Sequence, residues 1–136
     1  MQNQERIWTE QQIEQIINGD TKQLVATAEK LGKDLCDKKD ERGNILSKGM
    51  TKSQIRNIFN SVKQMEMKGF NPKDLLLLKP KLAYAAVRPG ATNGTRVIKD
   101  ILTKAIDKVG DDAKKFDNFC NFFEAILAYH RAAGGK

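Results

Sequence analysis

The sequence predicts an all-α protein: a compact bundle of five or six helices that forms one domain over residues 1–136. Three observations support this prediction. Apolar residues recur at intervals of three and four in most segments, which is the spacing of one helix face. Residues suited to helix N-caps precede these segments, and glycines end several of them. No stretch alternates strictly between apolar and polar residues, as a half-buried strand would.

Two helices are predicted before residue 37. The first begins after Thr9, a good N-cap, and ends at Gly19. The second opens on Asp20, and its predicted inner face consists of Leu24, Ala28, Leu31 and Leu35. The charged stretch that follows, residues 37–50, contains turn-forming residues and predicts a loop. We expect this loop to be mobile, because unstructured connections of that length are uncommon in compact bundles.

Residues 51–68 carry the clearest helical pattern. Thr51 or Ser53 is expected to cap this helix, and Gly69 to end it. Its predicted buried stripe consists of Ile55, Ile58, Phe59, Val62 and Met65. This stripe faces away from several basic residues of the same helix.

Two short helices are predicted next. Asn71 caps the first of them, which begins at Pro72 and contains four consecutive leucines, residues 75–78. Pro80 interrupts it, and a second helix over residues 80–88 ends at the dipeptide PG. We expect the leucines to be buried and to hold this segment firmly on the core.

The last two helices are predicted over residues 95–110 and 112–132. Asn93 or Thr95 can cap the first. The apolar stripe of the final helix is wide enough to require a central position or a partner surface; it comprises Phe116, Phe119, Cys120, Phe123, Ile126, Leu127 and His130. We expect these two helices and the helix over residues 51–68 to form the centre of the bundle.

Charge is distributed unevenly along the chain. The net charge is +7, yet residues 1–50 have a slight acidic excess and residues 100–136 are balanced. Residues 51–99 hold ten basic side chains and only two acidic ones, Glu66 and Asp74. A block of one sign predicts a polyanionic partner. The alternative, which the sequence leaves open, is that this block folds against acidic groups elsewhere in the chain.

Helical spacing groups several of these cations. Lys81 and Arg88 are seven residues apart, so they share a helix face about 10 Å apart. Tyr84 lies between them and is predicted to be a core residue. Arg and Lys side chains match phosphate oxygens well. The candidate nucleic-acid contacts are Lys52, Arg56, Lys63, Lys79, Lys81, Arg88, Arg96 and Arg131.

Signals for catalysis, metal binding or membrane insertion are weak. The chain has one histidine, no glycine-rich phosphate loop and no nucleophile elbow, so we expect neither an enzyme nor a cofactor. His130 is predicted to be a hydrogen-bonded residue of the core or of its rim. Cys36 and Cys120 are predicted to be reduced thiols without a zinc site. No apolar run is long enough to span a membrane and the N-terminus is polar, which predicts a cytoplasmic protein.

Three other functional classes were weighed against a nucleic-acid-binding protein. A helical protein–protein interaction module, such as a dimeric adaptor, would use the wide apolar face of the last helix. A helix-turn-helix DNA regulator is disfavoured because the loop before TKSQIRNIFNSV is too long for that motif. A small hydrolase or nuclease is disfavoured because no acid–base pair is evident. The interaction module remains open.

Three blocks of the sequence carry a resemblance to a known family. MTKSQIRNIFNSVKQME, LLLLKPKLAYAAVR and NFFEAILAYHRAAGGK occur in this order within residues 45–136. Together they resemble the small subunit of the type III-A CRISPR effector, the Csm complex. The first part of the chain carries no comparable signature.

This resemblance implies a small, helical, non-catalytic subunit. Members of the family stack head to tail as an inner filament and contact the backbone of the guide RNA and the target RNA, while other subunits carry the nuclease activity. Its partners would therefore be guide RNA, target RNA, other subunits of the complex and further copies of itself, as a dimer or a stack. The positions that match the family's blocks are Lys52, Arg56, Lys79, Lys81, Arg88, His130 and Arg131.

Overall fold

The computed structural model describes residues 7–135 and confirms an all-α bundle. In this range the helices are α1 (Glu10–Ile17), α2 (Thr21–Asp34), α3 (Lys52–Lys68), α4 (Pro72–Leu76), α5 (Leu78–Ala85), α6 (Asn93–Val109) and α7 (Ala113–Ala132). One short hairpin, β1 (Lys38–Lys39) and β2 (Ile45–Ser47), joins α2 to α3. Helices α4 and α5 meet at Leu77 and form one bent unit, so the bundle has six helical units.

Local capping chemistry sets where most helices begin. Thr9 and Thr51 form capping boxes with the glutamines three residues later, and Asp20 accepts a hydrogen bond from the third residue after it. These starts agree with the sequence predictions. Helix α6 differs, because its N-cap is Thr92 and not Asn93 or Thr95. The Thr95 backbone N–H donates to Thr92 Oγ1 at 3.3 Å, which satisfies a group that α6 itself leaves unpaired.

The centre of the bundle is the pair α2 and α7, which share the most extensive helix–helix packing. Gly32 permits this closeness: a Cβ atom at Gly32 would lie 2.5 Å from Tyr129 Cβ. The apolar stripe of α7 is buried inside the chain except for the partly buried Leu127, and Phe119 and Phe122 are fully enclosed. That stripe therefore offers no exposed dimer surface, contrary to the use that an interaction module would make of it.

Helix α3 lies at the edge of the bundle, although the sequence predicted a central position for it. Only Ile55 and Val62 of α3 are buried. Ile58, Phe59 and Met65 are partly buried against the core. The reason is that α3 packs mainly on α7, while α1 and α2 occupy the positions that the prediction gave to α3.

The four leucines at residues 75–78 divide into two pairs. Leu75 and Leu78 are buried, three residues apart on one face. Leu76 and Leu77 are 56% and 53% exposed, so the expectation that all four are buried is wrong for these two. Two leucines still anchor the bend between α4 and α5 on the core.

Residues 37–50 contain the antiparallel hairpin, where the sequence predicted no strand. Asp40 Oδ1 accepts from the backbone N–H groups of Arg42 and Asn44, each at 2.9 Å, and Gly43 takes a positive φ of 85°. These two hydrogen bonds form the turn, and the one from Asn44 is the main cause that lowers the pKa of the Asp40 carboxyl. At the base of the hairpin, Met50 N–H donates to Leu35 O at 2.8 Å. The mobility of this segment remains a prediction.

Helix α1 packs on α6, and ion pairs cover the edge of this contact. Lys108 Nζ lies 3.1 Å from a Glu10 oxygen and 3.7 Å from a Glu14 oxygen. Lys104 Nζ lies 3.7 Å from the other Glu10 oxygen. Glu10 and Glu14 thus neutralise cations of α6 and, in the part of the chain that the structure describes, form no ion pair with the cations of α3 or α5. None of the helices within residues 7–135 is long and apolar enough to cross a lipid bilayer.

Candidate nucleic-acid interface

Three of the candidate cations converge at one end of α3. Lys52 and Arg56 lie one turn apart on α3, and Arg131 comes from the last turn of α7. Together with Ser53 they line a surface depression of about 190 Å³. We call Lys52, Arg56 and Arg131 the three-cation cluster. Within residues 7–135, no carboxylate forms an ion pair with any of the three.

A second feature is an open groove of about 290 Å³ between α3 and α5. We call it the α3–α5 groove. Its walls and closed end consist of Met50, Gln54, Asn57, Ile58, Ser61, Leu78, Lys81, Leu82, Ala85, Arg88, Pro89, Gly90, Ala91 and Thr95. Lys81 and Arg88 both line it, but Arg88 lies three residues beyond the end of α5, so the prediction that one helix extends through residue 88 and carries both on one face is wrong.

Tyr84 lies near the end of α5 and is 63% exposed, so the prediction that it belongs to the core is wrong. The Arg88 guanidinium carbon lies 5.9 Å from the centre of the Tyr84 ring, within the range of a cation–π contact. Like the three-cation cluster, Lys81 and Arg88 have no carboxylate partner among the residues that the structure describes. Their positive charge is therefore available to an outside partner.

Two candidate cations are paired with carboxylates of the same chain. Lys79 Nζ donates to Asp107 Oδ1 at 2.7 Å, so its charge is balanced by a residue of α6. Lys63 Nζ donates to Glu66 Oε1 at 3.1 Å and lies 5.8 Å from the Phe59 ring centre. The hydrogen bond to Glu66 raises the pKa of Lys63. For Lys63 and Lys79, the alternative that the sequence left open is therefore correct: their charge is balanced by acidic groups of the same chain.

Arg96 and His130 lie apart from both features. Arg96 is exposed on α6 and donates to Asn93 Oδ1 at 2.9 Å within its own helix. His130 is fully buried, and its Nε2 lies 2.8 Å from Met50 O. The prediction that His130 is a hydrogen-bonded residue of the core or of its rim is confirmed. Because it is buried, His130 cannot contact a nucleic acid at the surface, although it matches a position of the family's blocks.

The unpaired cations occupy both flanks of α3 and do not form one continuous face. Successive helical residues are rotated by about 100°, which places Lys52 and Arg56 on the side opposite Asn57 and Ser61. Lys52 and Arg56 belong to the three-cation cluster, and Asn57 and Ser61 line the α3–α5 groove. Since a helix with its side chains is about 10–12 Å wide, a nucleic-acid strand that crosses α3 could contact both flanks of the helix.

Sequence reasoning did not identify three residues of this surface. Asn57 and Ser61 line the α3–α5 groove, and Lys68 lines an adjoining depression together with Lys81. The sequence does indicate that Asn57 and Ser61 lie on one helix face, because Gln54, Asn57, Ile58 and Ser61 follow the spacing of a single face. No local pattern indicated that α5 would lie opposite that face.

Both cysteines have thiol pKa values that burial raises. Burial and, to a lesser extent, the nearby Glu66 carboxylate raise the pKa of the Cys120 thiol to about 12, so this thiol is protonated at neutral pH. Burial also raises the pKa of Cys36. Within residues 7–135, no group of three or more His, Cys, Asp or Glu side chains is close enough to hold a metal ion.

Comparison with known proteins gives the family. The sequence profile described as Csm2 Type III-A matches residues 18–136. The protein "CRISPR system Cms protein Csm2" of Enterococcus italicus is 32% identical over 106 residues, which cover 67% of this chain and 75% of that protein. No solved structure matches the chain. The match to the family profile extends through both basic features and all seven helices except α1, and the chain belongs to the Csm2 family of type III-A CRISPR systems.

Proposed function

We propose that this chain is a non-catalytic, RNA-binding structural subunit of a type III-A CRISPR–Cas interference complex. It contacts the guide and target RNA through their backbone. The observation that carries the proposal is the convergence of Lys52, Arg56 and Arg131, three cations from two helices without a carboxylate partner in the described part of the chain. Family membership supports the same role.

The side chains at this surface favour contact with the sugar–phosphate backbone of RNA. Lys and Arg bind phosphate oxygens, and such contacts fix the register of a nucleic acid without reading its bases. Cations on two flanks of α3 suit a strand that passes over the helix. Sequence recognition is then left to pairing between guide and target, as in other RNA-guided complexes. The proposal includes a cytoplasmic location.

Exposed apolar residues support contacts with other proteins. Leu76 and Leu77 lie on the bend between α4 and α5, and Ile45 and Leu46 lie on the hairpin. Apolar side chains in these positions would be covered by other subunits or by a second copy of the chain. We therefore propose that the chain stacks in a filament through such surfaces, and that the apolar stripe of α7 takes no part because it is already buried.

The test is the salt dependence of RNA binding by the full chain. Two single-stranded RNAs of equal length and unrelated sequence are titrated at increasing salt. For about three to five phosphate contacts, the plot of log affinity against log salt should have a slope of about −2 to −4 for both RNAs. A slope near zero, or a strong preference for one sequence, would contradict backbone binding.

A further inference from the structure

The α3–α5 groove contains chemistry that phosphate binding does not require. Each helix contributes one face to it, with residues spaced at i, i+3, i+4 and i+7. The face from α3 consists of Gln54, Asn57, Ile58 and Ser61, and the face from α5 consists of Leu78, Lys81, Leu82 and Ala85. Two helical faces that usually pack together are here held apart.

The packing of the bundle keeps the groove open. Helix α3 packs on α7 and α5 packs on α6, while α3 and α5 have little direct contact with each other. Gln54 closes one end, because its Nε2 donates to Gly90 O at 3.4 Å and its Oε1 accepts from the Thr51 N–H at 2.9 Å. The volume of about 290 Å³ is close to the lower end for pockets that bind small organic groups, about 300 Å³.

The interior of the groove suits a flat group with a polar edge. Leu78 and Leu82 are buried and, with the partly buried Ile58, they give it an apolar lining. On the α3 side, the Asn57 amide and the Ser61 hydroxyl make no hydrogen bond within residues 7–135. An Asn side chain offers one acceptor and two donors, and a Ser hydroxyl offers both functions. A nucleobase has an apolar face and an edge of donors and acceptors, which matches this combination.

The charges of the groove suit an anion attached to that group. Lys81 on α5 and Arg88 in the turn after α5 both line this side of the groove, and neither has a carboxylate partner in the described chain. We propose that the groove receives one unpaired ribonucleotide of a bound RNA strand. The base enters between α3 and α5 with its polar edge on Asn57 and Ser61. The flanking phosphates contact Lys81 and Arg88.

This inference rests on the proposed RNA-binding function and adds a specific element to it. An RNA base within a regular duplex is stacked and cannot enter a groove between two helices, so the site selects nucleotides that are outside the stack. The groove is too small for more than a short part of a strand. The three-cation cluster on the other flank of α3 would make the sequence-independent backbone contacts and would bind paired and unpaired RNA alike.

The experiment compares two RNA duplexes that differ only in one bulged nucleotide, a fluorescent 2-aminopurine. The full-length protein should bind the bulged duplex at least about fivefold more tightly than the fully paired one, a difference on the order of 1 kcal/mol. The 2-aminopurine emission should change on binding, because the base moves from partial stacking into the groove. Ala85→Phe fills the groove and should remove both effects. Ala83→Phe adds the same ring to an exposed position of α5 outside the groove and should retain them.

Circular dichroism and thermal melting establish that each variant is folded, and Asn57→Leu replaces Ala85→Phe if that variant is not. Equal affinity of the wild-type protein for the two duplexes would overturn the groove proposal and leave backbone binding intact. Preference for the bulge that survives in Ala85→Phe or Asn57→Leu would also overturn it, because the base would then lie elsewhere. Failure to bind either duplex would instead contradict the proposed function.

Discussion

The α2–α7 centre and the α3–α5 edge differ in how their helices meet. At the centre, Gly32 brings two helices into close contact and the phenylalanines of α7 are enclosed. At the edge, α3 and α5 rest on different neighbours and leave a groove between them. The edge also carries Lys52, Arg56, Lys81 and Arg88, none of which has a carboxylate partner within residues 7–135.

Under the proposed function, this difference assigns folding stability and RNA binding to separate parts of the molecule. A helix held on one side only can present polar and cationic groups to a ligand, because its other side supplies the anchoring contacts. Ile55 and Val62 anchor α3 in this way, and Leu78 and Leu82 anchor α5. Substitutions at the centre should therefore change folding, and those at the edge should change RNA binding.

The largest effect is expected from truncation at the centre. Phe122→Ala should lower the free energy of unfolding by about 3–5 kcal/mol, because Phe122 is fully buried and its loss leaves a cavity. The matched change at the edge, Leu76→Ala, should alter the free energy of unfolding by less than about 0.5 kcal/mol, since Leu76 is 56% exposed. Urea denaturation measures both. Similar losses in the two variants would remove the distinction between centre and edge.

A second prediction tests the close approach of α2 and α7. Gly32→Ala should lower the free energy of unfolding by about 1–3 kcal/mol, because the new Cβ would lie 2.6 Å from the Tyr129 carbonyl carbon and force the helices apart. Ala26 is exposed on the same helix and provides the control. Ala26→Gly should cost about 1 kcal/mol through helix propensity alone. If Gly32→Ala instead stabilises the protein, the higher helix propensity of alanine outweighs the steric cost, and α2 and α7 do not approach each other as closely as described.

Two lysines of α5 sharpen the distinction between available and neutralised charge. Lys81→Ala removes a cation without an internal partner and should reduce the magnitude of the salt slope for single-stranded RNA by about 0.7. Lys79→Ala removes a cation already bonded to Asp107 and should leave that slope unchanged. Filter binding at several salt concentrations gives both slopes. Equal effects would mean that the internal pairing of Lys79 does not decide which cations reach RNA.

The smallest effect is expected at the ion pairs between α1 and α6. Lys108 and Lys104 lower the pKa of Glu10, the hydrogen bond from Lys108 being the largest cause. Because the pKa is lowered in the folded state, this contribution to stability is present above the unfolded pKa, near 4.5, and is lost as the pH falls through the folded value. Glu10→Gln should therefore lower the melting temperature slightly at pH 7. The difference from wild type should vanish at low pH and shrink in about 1 M salt. A difference that persists under both conditions would exclude an electrostatic origin.

Features set by neighbouring residues were predictable from the sequence. The caps at Thr9, Asp20, Thr51 and Asn71 depend on side chains that bond to their own helix, and each was predicted. Helical spacing likewise predicted the buried apolar residues of α2 and its C-cap, Leu24, Ala28, Leu31 and Leu35.

Features set by distant parts of the chain were not predictable. Lys79 pairs with Asp107, 28 residues away, and no local pattern identifies that partner. The exposure of Leu77 and Tyr84 follows from the direction in which α5 lies on α6. The peripheral position of α3 depends on α1 and α2 filling the centre. The α3–α5 groove is likewise created by two helices that pack on different neighbours.

The most direct test of the account is the salt slope of RNA binding in two triple variants with the same change in net charge. One reverses the three-cation cluster, Lys52→Glu, Arg56→Glu and Arg131→Glu. The other reverses three exposed cations away from it, Lys22→Glu, Lys30→Glu and Lys114→Glu. The first should reduce the magnitude of the slope by about 2 on single-stranded RNA while the second leaves it close to wild type. Equal loss in both variants would contradict the account, because overall charge and not the converging cluster would then bind the RNA.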